Sequence, residues 1–307
     1  MDCEMERVLG VAKRDSKNWR ESPVPEEAPT RARIGVVLGP VGDLNTVATR
    51  YLILQLNGLQ DSLEFEILPE PSKDPLWNLL SSRQPIAREA VKECARGFAT
   101  RYARYWGDLL SQSIASESVP DHIVVVSLAR FADNFYSTTL DRLAILALGN
   151  WKRYMAPPSL IEFISVLVVR LAIGLVDPSV RRSSHLGTRG CLWDFNPYLD
   201  EVRFKVLVGR VCPACQAALR SGPLAPLADQ LPTLLSRAWL GKRDEPQSVA
   251  ATCAKLGYDL FSTKGARPNV RERLTSVVQE EGAKEILKWL SAFLLAAILV
   301  WLGLKKP

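Results

Sequence analysis

A histidine and three cysteines between positions 185 and 215 have the residue types and the grouping of a closed structural zinc site. His185 and Cys191 are separated by five residues, and after twenty more residues the motif Cys212-Pro-Ala-Cys215 follows. Zn²⁺ is held tetrahedrally by thiolates and imidazole nitrogens, and the two cysteines of a C-x2-C motif can bind it from a single turn. The pattern therefore predicts one structural Zn²⁺ ion on His185, Cys191, Cys212 and Cys215.

Other interpretations of the same residues stay open at this point. A lone C-x2-C motif can be a redox dithiol, but thioredoxin-type motifs open a helix after a strand in a βαβ unit. Here the motif closes a stretch that already holds another cysteine and a histidine. The remaining alternatives are a His185 satisfied at a helix end, a buried free thiol at Cys191 and a C-x2-C motif without a ligand.

The segments that must position these ligands read as alternating strands and helices. Short β-branched or apolar runs predict strands, and longer stretches with apolar residues at helical spacing predict helices. The predicted strands are 34–38, 63–68, 121–128 and 140–148, and the predicted helices are 44–56, 85–116 and 159–176. This order is typical of an α/β fold. The last helix is apolar enough to be a core helix, Pro178 ends it, and it leads directly into the zinc motif.

Composition excludes disorder and disfavours nucleic-acid binding. The chain has 307 residues, of which 47% are hydrophobic, enough for a sizeable core. Its net charge of +6 is spread along the sequence, and its few basic clusters lack the interleaved aromatic residues of a single-strand groove. No nucleic-acid partner is therefore expected. Near a membrane, the same charge favours anionic headgroups.

The C-terminal segment 286–304 predicts a transmembrane anchor. No charged residue lies between Trp289 and Leu304, a stretch of about 24 Å as a helix and about 28 Å if Ile286 and Leu287 are included. Its two tryptophans lie near the ends, and two lysines follow it, as expected at membrane interfaces. The alternative is a core helix, which would have to be enclosed by the rest of the protein.

The flanking segments complete the predicted organisation. Residues 1–31 are charged and proline-containing, without the apolar stretch of a secretory signal, and predict a flexible arm. A single-pass tail anchor then leaves the bulk of the chain in the cytoplasm, where six cysteines would stay reduced and available to metal. Between arm and anchor, we expect an α/β domain over 32–220 that holds the zinc site and a helical extension over 221–285.

The zinc motif resembles the zinc-binding tail of the archaemetzincins, a family of zincin-fold metallopeptidases. The likeness covers roughly thirty-five residues, from His185-Leu-Gly-Thr-Arg-Gly-Cys191 through Phe195-Asn196 and Asp200-Glu-Val-Arg-Phe-Lys205 to Cys212-Pro-Ala-Cys215. In that family a structural zinc lies on C-x4-C-x-M-x17-C-x2-C. The resemblance implies a zincin-like mixed sheet with helices and a zinc knuckle.

Residue by residue, the likeness is incomplete. If Cys191 matches the second structural cysteine of the family, then Cys212 and Cys215 fall within one residue of the third and fourth. His185 then replaces the first cysteine, and Trp193 stands where the family has the methionine of its Met-turn.

The catalytic part of the family pattern is missing. Archaemetzincins bind their catalytic zinc with HExxHxxGxxH, and this chain has no HExxH and only two histidines, His122 and His185. If His185 matched the third catalytic histidine, Leu175 and Ser179 would stand at the other two positions. The resemblance therefore implies a degenerate metallopeptidase, a pseudoenzyme that serves as a membrane-anchored binding or scaffold module.

Two other functions are weighed against this one. The first is a ligand-sensing membrane effector of a prokaryotic defence system, in which the turn from Gly39 to Asp43 binds a nucleotide and the tail oligomerises through small residues. That turn lacks the third glycine of a dinucleotide loop and the Lys-Ser/Thr of a P-loop, so an ordinary βα turn is favoured. The second is an active zinc metallopeptidase with an unrecognised carboxylate site. The expected partners are the membrane, through the C-terminal helix, and a protein partner or a second copy of the chain.

Overall fold

A computed structural model describes residues 31–302 apart from 72, 112–117, 183 and 197, without the side chains at 182 and 275–287. The predicted arm over 1–31 therefore lies outside the described residues except for Arg31. The predicted anchor over 286–304 is described only in part.

The centre of the fold is a five-stranded mixed sheet, which confirms the predicted α/β class. Its order is β2-β1-β3-β5-β4, in which the first four strands are parallel and β4 runs antiparallel to β5. The strands are β1 (Ala32–Leu38), β2 (Leu63–Leu68), β3 (His122–Ser127), β4 (Ser137–Leu140) and β5 (Leu143–Ala147).

The described residues form eleven α-helices, some of which cover the two faces of this sheet. They are α1 (Thr46–Gln55), α2 (Pro75–Leu80), α3 (Arg88–Ala95), α4 (Phe98–Leu110), α5 (Leu160–Val176), α6 (Pro178–Arg182), α7 (Leu199–Val208), α8 (Pro213–Arg220), α9 (Leu227–Leu235), α10 (Val249–Lys255) and α11 (Val270–Trp301). Along β3, Val124 and Val126 join the core that includes α1 and α5, whereas Ile123 and Val125 join the core that includes α2, α3 and α4. A strand buried on both faces reads as a continuous β-branched run, which is why the sequence predicted it well.

Two sequence predictions are corrected. The predicted helix over 85–116 is two helices, because Gly97 takes a left-handed φ of 72° between α3 and α4. The predicted strand over 140–148 is the second half of a hairpin, since Asp141, with a φ of 50°, turns the chain between β4 and β5.

Helix α5 is the core helix that the sequence predicted. It begins at a capping box in which Ser159 and Glu162 each accept a hydrogen bond from the other residue's backbone N–H, and its C-cap is Asp177. Apolar side chains around its whole circumference are buried against α1, β3 and β5. Pro178 ends it as predicted and is also the first residue of α6.

The last helix, α11, is 32 residues long and begins at a capping box formed by Asn269 and Glu272. Arg153 pairs with Glu272 and ties the start of the helix to the body of the protein. From Trp289 to Leu302 the side chains are exposed, with Leu299 alone half-buried; Trp289, Phe293 and Trp301 are 74%, 76% and 86% exposed. Within the described part of the chain, no helix combines the length and the apolar character that a membrane span requires.

Candidate metal centre

The structure brings the four predicted ligands into one cluster. His185 lies on the short strand β6 (His185–Leu186), Cys191 in the following loop, and Cys212 and Cys215 at the start of α8. One ligand atom from each of the four residues lies within 4.8 Å of every other. The cluster could hold a metal ion, as the spacing of the residues predicted.

The two-stranded pairing behind the loop sets the position of His185. β6 pairs in parallel with β7 (Asp194–Phe195), so that His185 lies opposite Asp194. The loop between them carries Cys191, which forms a bridge to Arg210 just before the C-x2-C motif. The backbone therefore fixes the first two ligands against the last two.

Two glycines allow this close approach. Gly190 has a φ of 73°, and a Cβ there would lie 2.7 Å from the Val208 side chain; Gly209 has a φ of 57°, and a Cβ there would lie 2.4 Å from the Leu235 carbonyl oxygen. L-residues with side chains rarely adopt such φ values. Glycine at both positions lets the Cys191 loop and the end of α7 meet beside the cluster.

The C-x2-C motif opens a helix, which is a feature that redox motifs share. Cys212 is the N-cap of α8, Pro213 is its first residue, and Cys215 lies in its first turn. The motif follows helix α7 rather than a strand of a βαβ unit, however, and Cys212 Sγ lies 3.4 Å from His185 Nε2. The thiols therefore face two further metal-ligand side chains, as a metal site requires.

The spacing and burial of the donors suit a closed tetrahedral site. With Zn–S near 2.3 Å and Zn–N near 2.0 Å, ligand atoms in a tetrahedral site lie about 3.6–3.8 Å apart, which is close to the separation of Cys212 Sγ and His185 Nε2. Cys191 and Cys215 are fully buried, Cys212 is 6% exposed, and the His185 side chain is 16% exposed. A buried shell of four donors is typical of structural rather than catalytic sites.

The three thiols differ in their protonation. Burial raises the pKa of Cys191 and of Cys215. Burial also opposes ionisation of Cys212, but hydrogen bonds from the Cys215 backbone and side chain outweigh it and lower the pKa of Cys212 to about 7. Cys212 is therefore the thiol that ionises most readily without metal, and the other two need a cation to offset the cost of burying their charge.

Asp194 supports the cluster from behind, and sequence reasoning missed it. Its fully buried carboxylate has Oδ1 2.9 Å from His185 Nδ1, while Oδ2 accepts hydrogen bonds from the backbone N–H groups of Arg189 at 2.7 Å and Cys191 at 3.0 Å. An imidazole with its proton on Nδ1 would satisfy Oδ1 and leave the Nε2 lone pair facing Cys212. Metal-binding histidines commonly have such a carboxylate partner.

Lys205 is the second residue that the sequence did not reveal. It is fully buried on α7, and its Nζ donates a hydrogen bond to the backbone oxygen of Asp194 at 2.5 Å. Burial and the nearby Arg170 charge lower the pKa of Lys205 to about 7, against the opposing effect of Asp194 and Cys191. Its helical position gives no sequence signal for burial, whereas Asp194, three residues after Cys191, could have been noticed by its spacing.

The other residues singled out in the sequence lie elsewhere in the structure. Trp193 is buried in the hydrophobic core, and Leu175 is buried in α5. Ser179 donates both its backbone N–H and its hydroxyl to Asp177. His122 lies at the start of β3, where burial lowers its pKa. Among the described residues, His185 and the three cysteines form the one histidine, cysteine or carboxylate group with metal-binding geometry.

Fold and site together define an α/β protein with a Cys₃His cluster able to hold a metal ion. No protein-family model matches the sequence, and no curated protein or solved structure is significantly similar to it.

Proposed function

We propose that this protein is a membrane-anchored, zinc-stabilised binding or scaffold module that resembles a degenerate archaemetzincin and has no peptidase chemistry. The observation that carries the proposal is the buried Cys₃His cluster with Asp194 behind its histidine. This arrangement supports a structural ion, because four protein donors leave no coordination position for a substrate or a reactive water.

Charge balance around the cluster supports a divalent cation. Zn²⁺ with three thiolates carries a net charge of −1, and the Asp194 carboxylate adds another −1. Lys205 and Arg170 lie beside them, since Lys205 binds the Asp194 carbonyl and Arg170 donates to the Leu192 carbonyl at 3.1 Å. When Lys205 is protonated, two positive and two negative charges meet in this region, where an unpaired buried charge would be costly.

The membrane part of the proposal depends on the exposed side chains of α11. A helix with apolar residues on every face is normally covered by protein or by lipid, and leaving one large apolar side chain in water costs about 1.5–3 kcal/mol. The first half of α11 is charged and the part from Trp289 onwards is apolar. A bilayer around the apolar part would leave the charged half and the α/β body outside the membrane.

Metal content tests the zinc part directly. We expect the full-length protein, purified in detergent, to contain one zinc per chain by elemental analysis, and Cys212→Ser to lose it together with thermal stability, because structural zinc binding contributes folding free energy. Cys253→Ser is the matched control, since Cys253 is also fully buried but lies outside the cluster. This control should keep its zinc. Two zinc ions per chain would instead favour an active peptidase, and none would refute the structural site.

A further inference from the structure

The carboxyl ends of three parallel strands open onto a cavity of about 370 Å³. Pro40 and Gly42 follow β1, Leu128 and Arg130 follow β3, and Gly149 follows β5, and all of them line it. The end of α2 and the loop after it, from Leu80 to Arg83, form the remaining wall. None of the four metal-ligand candidates borders this cavity, and its volume is in the range of small-molecule sites.

The cavity lies where the topology of the sheet reverses. From β1 the chain passes through α1 to β2 on one side, and from β2 through α2, α3 and α4 to β3 on the other side of β1. Helix α1 contributes to the core on one face of the sheet, and α2, α3 and α4 contribute to the core on the opposite face. In open α/β sheets, ligands bind in the crevice that such a reversal leaves at the carboxyl ends of the strands.

The wall of the cavity carries positive charge without compensation. Arg83 and Arg130 line it, and no aspartate or glutamate does. Among the described residues, neither guanidinium has an ion-pair or hydrogen-bond partner. Their segments are tied together, since the Ile86 N–H donates to the Arg130 carbonyl at 2.8 Å and the Ala132 N–H donates to the Ile86 carbonyl at 2.9 Å. Arg130 therefore extends from backbone that this pairing holds, Arg83 lies three residues before Ile86, and both side chains are exposed.

Two glycines, Gly42 and Gly149, bring the backbone close to this cavity. Gly42 has a φ of 51°, is exposed, and has open space where a Cβ would lie; its N–H has no partner among the described residues. A Cβ at Gly149 would lie 2.4 Å from the Leu128 carbonyl oxygen, so only glycine lets the β5 loop close against the β3 loop. The rest of the wall offers apolar surface from the half-buried Pro40 and Leu128, and two serines whose hydroxyls donate to backbone carbonyls.

We propose that this cavity binds a small phosphorylated molecule, with its phosphate between Arg83 and Arg130 and its organic part against Pro40 and Leu128. Guanidinium groups suit phosphate oxygens because they donate pairs of parallel hydrogen bonds. A backbone N–H at Gly42 adds a further donor of the kind that phosphate-binding loops use. The inference goes beyond the proposed function and requires neither the zinc ion nor the membrane.

Calorimetric titration of the full-length protein in detergent tests this site. The probes are ATP, pyrophosphate and inorganic phosphate, which separate a nucleotide from a bare phosphate group. We expect at least one probe to bind, and Arg83→Ala and Arg130→Ala each to weaken it about 10- to 100-fold, as expected for loss of a charge-assisted bond. Arg104→Ala is the matched control, because it removes an equal charge from an exposed arginine on α4, and it should leave binding unchanged.

Each other outcome overturns the proposal. If none of the three probes binds at millimolar concentration, the proposal is wrong. It is also wrong if all three variants weaken binding equally, because that result indicates a general effect of net charge. Binding of an oligo-glutamate peptide without any phosphate probe would assign the cavity to an acidic protein segment. Melting temperatures of the variants near that of the parent protein ensure that lost binding is not lost folding. None of the substituted arginines is a metal-ligand candidate, so zinc content should stay unchanged and the test is independent of the proposed function.

Discussion

At the scale of single residues, the decisive feature is the contact between His185 and Asp194. His185 Nδ1 and Asp194 Oδ1 are both buried, lie 2.9 Å apart, and are otherwise without a hydrogen-bond partner among the described residues unless a proton lies between them. If Nδ1 carries the ring proton, it can donate to Asp194 Oδ1, and Nε2 keeps the lone pair that can bind a metal. The carboxylate thus selects the tautomer that the site needs.

Asp194→Asn tests this role. The asparagine oxygen can still accept the backbone N–H groups of Arg189 and Cys191, but its NH₂ then faces Nδ1 and favours the tautomer with a proton on Nε2. We expect zinc affinity to fall about 10- to 100-fold, measured by competition with a chromogenic chelator. Asp200→Asn, at an exposed position in the first turn of α7, is the control and should behave like the parent protein. Equal zinc affinity of the Asp194 variant would show that the carboxylate has no part in metal binding.

At the scale of elements, the metal centre depends on how helices end. Helix α7 stops at Gly209 in a left-handed conformation, directly before the segment that carries the C-x2-C motif, and the backbone there passes close to Leu235 at the end of α9. A glycine C-terminal to a helix is a common way to satisfy its last carbonyl groups. Here it also lets the end of α7 pack against the end of α9, three residues before Cys212.

Two glycine-to-alanine changes distinguish the conformational requirement at Gly209 from the general effect of glycine on helix stability. Gly209→Ala places a Cβ at a positive φ and against the Leu235 carbonyl, so we expect a loss of about 1–3 kcal/mol in the free energy of unfolding. Gly107→Ala lies inside α4 with open space around it, and should stabilise the protein by about 0.5–1 kcal/mol. Denaturant unfolding measures both. A neutral effect of the Gly209 change would mean that the end of α7 can adjust freely.

At the scale of the whole molecule, α11 joins a part that buries its apolar side chains to a part that exposes them. The α/β body buries its apolar residues on both faces of the sheet, while the described side chains from Trp289 to Leu302 are almost all exposed. The Asn269 capping box and the Arg153 ion pair hold the start of the helix. The apolar end is left for a bilayer, according to the proposed function, or for a partner protein.

Liposome flotation distinguishes a bilayer from a partner protein around the apolar end of α11. The full-length protein should float with vesicles of neutral and anionic lipids, and Leu294→Arg should reduce flotation, because a charge in the middle of a transmembrane helix costs at least about 2.5–3.5 kcal/mol. Leu274→Arg is the matched control, since Leu274 is an exposed leucine on the charged half of the same helix, and it should float like the parent protein. If the parent protein stays at the bottom of the gradient as a discrete oligomer, a second copy covers the helix instead.

The sequence by itself determined the fold class, the core helix and the four residues of the cluster that could hold a metal ion. Parallel strands buried on both faces leave continuous β-branched runs, α5 is apolar on all sides, and a C-x2-C motif with a further cysteine and a histidine has few other uses. These patterns are local in the sequence, so they can be recognised without knowing which segments pack against them.

Tertiary structure decided the rest, because it depends on contacts between distant segments. The break at Gly97 and the turn at Asp141 follow from φ values that a hydrophobic pattern does not encode. The burial of Lys205 beside Asp194, and the convergence of Arg83 and Arg130 at one end of the sheet, follow from strand order and helix placement. Residue types state what chemistry is available, and only the packing of the elements decides which of those residues meet.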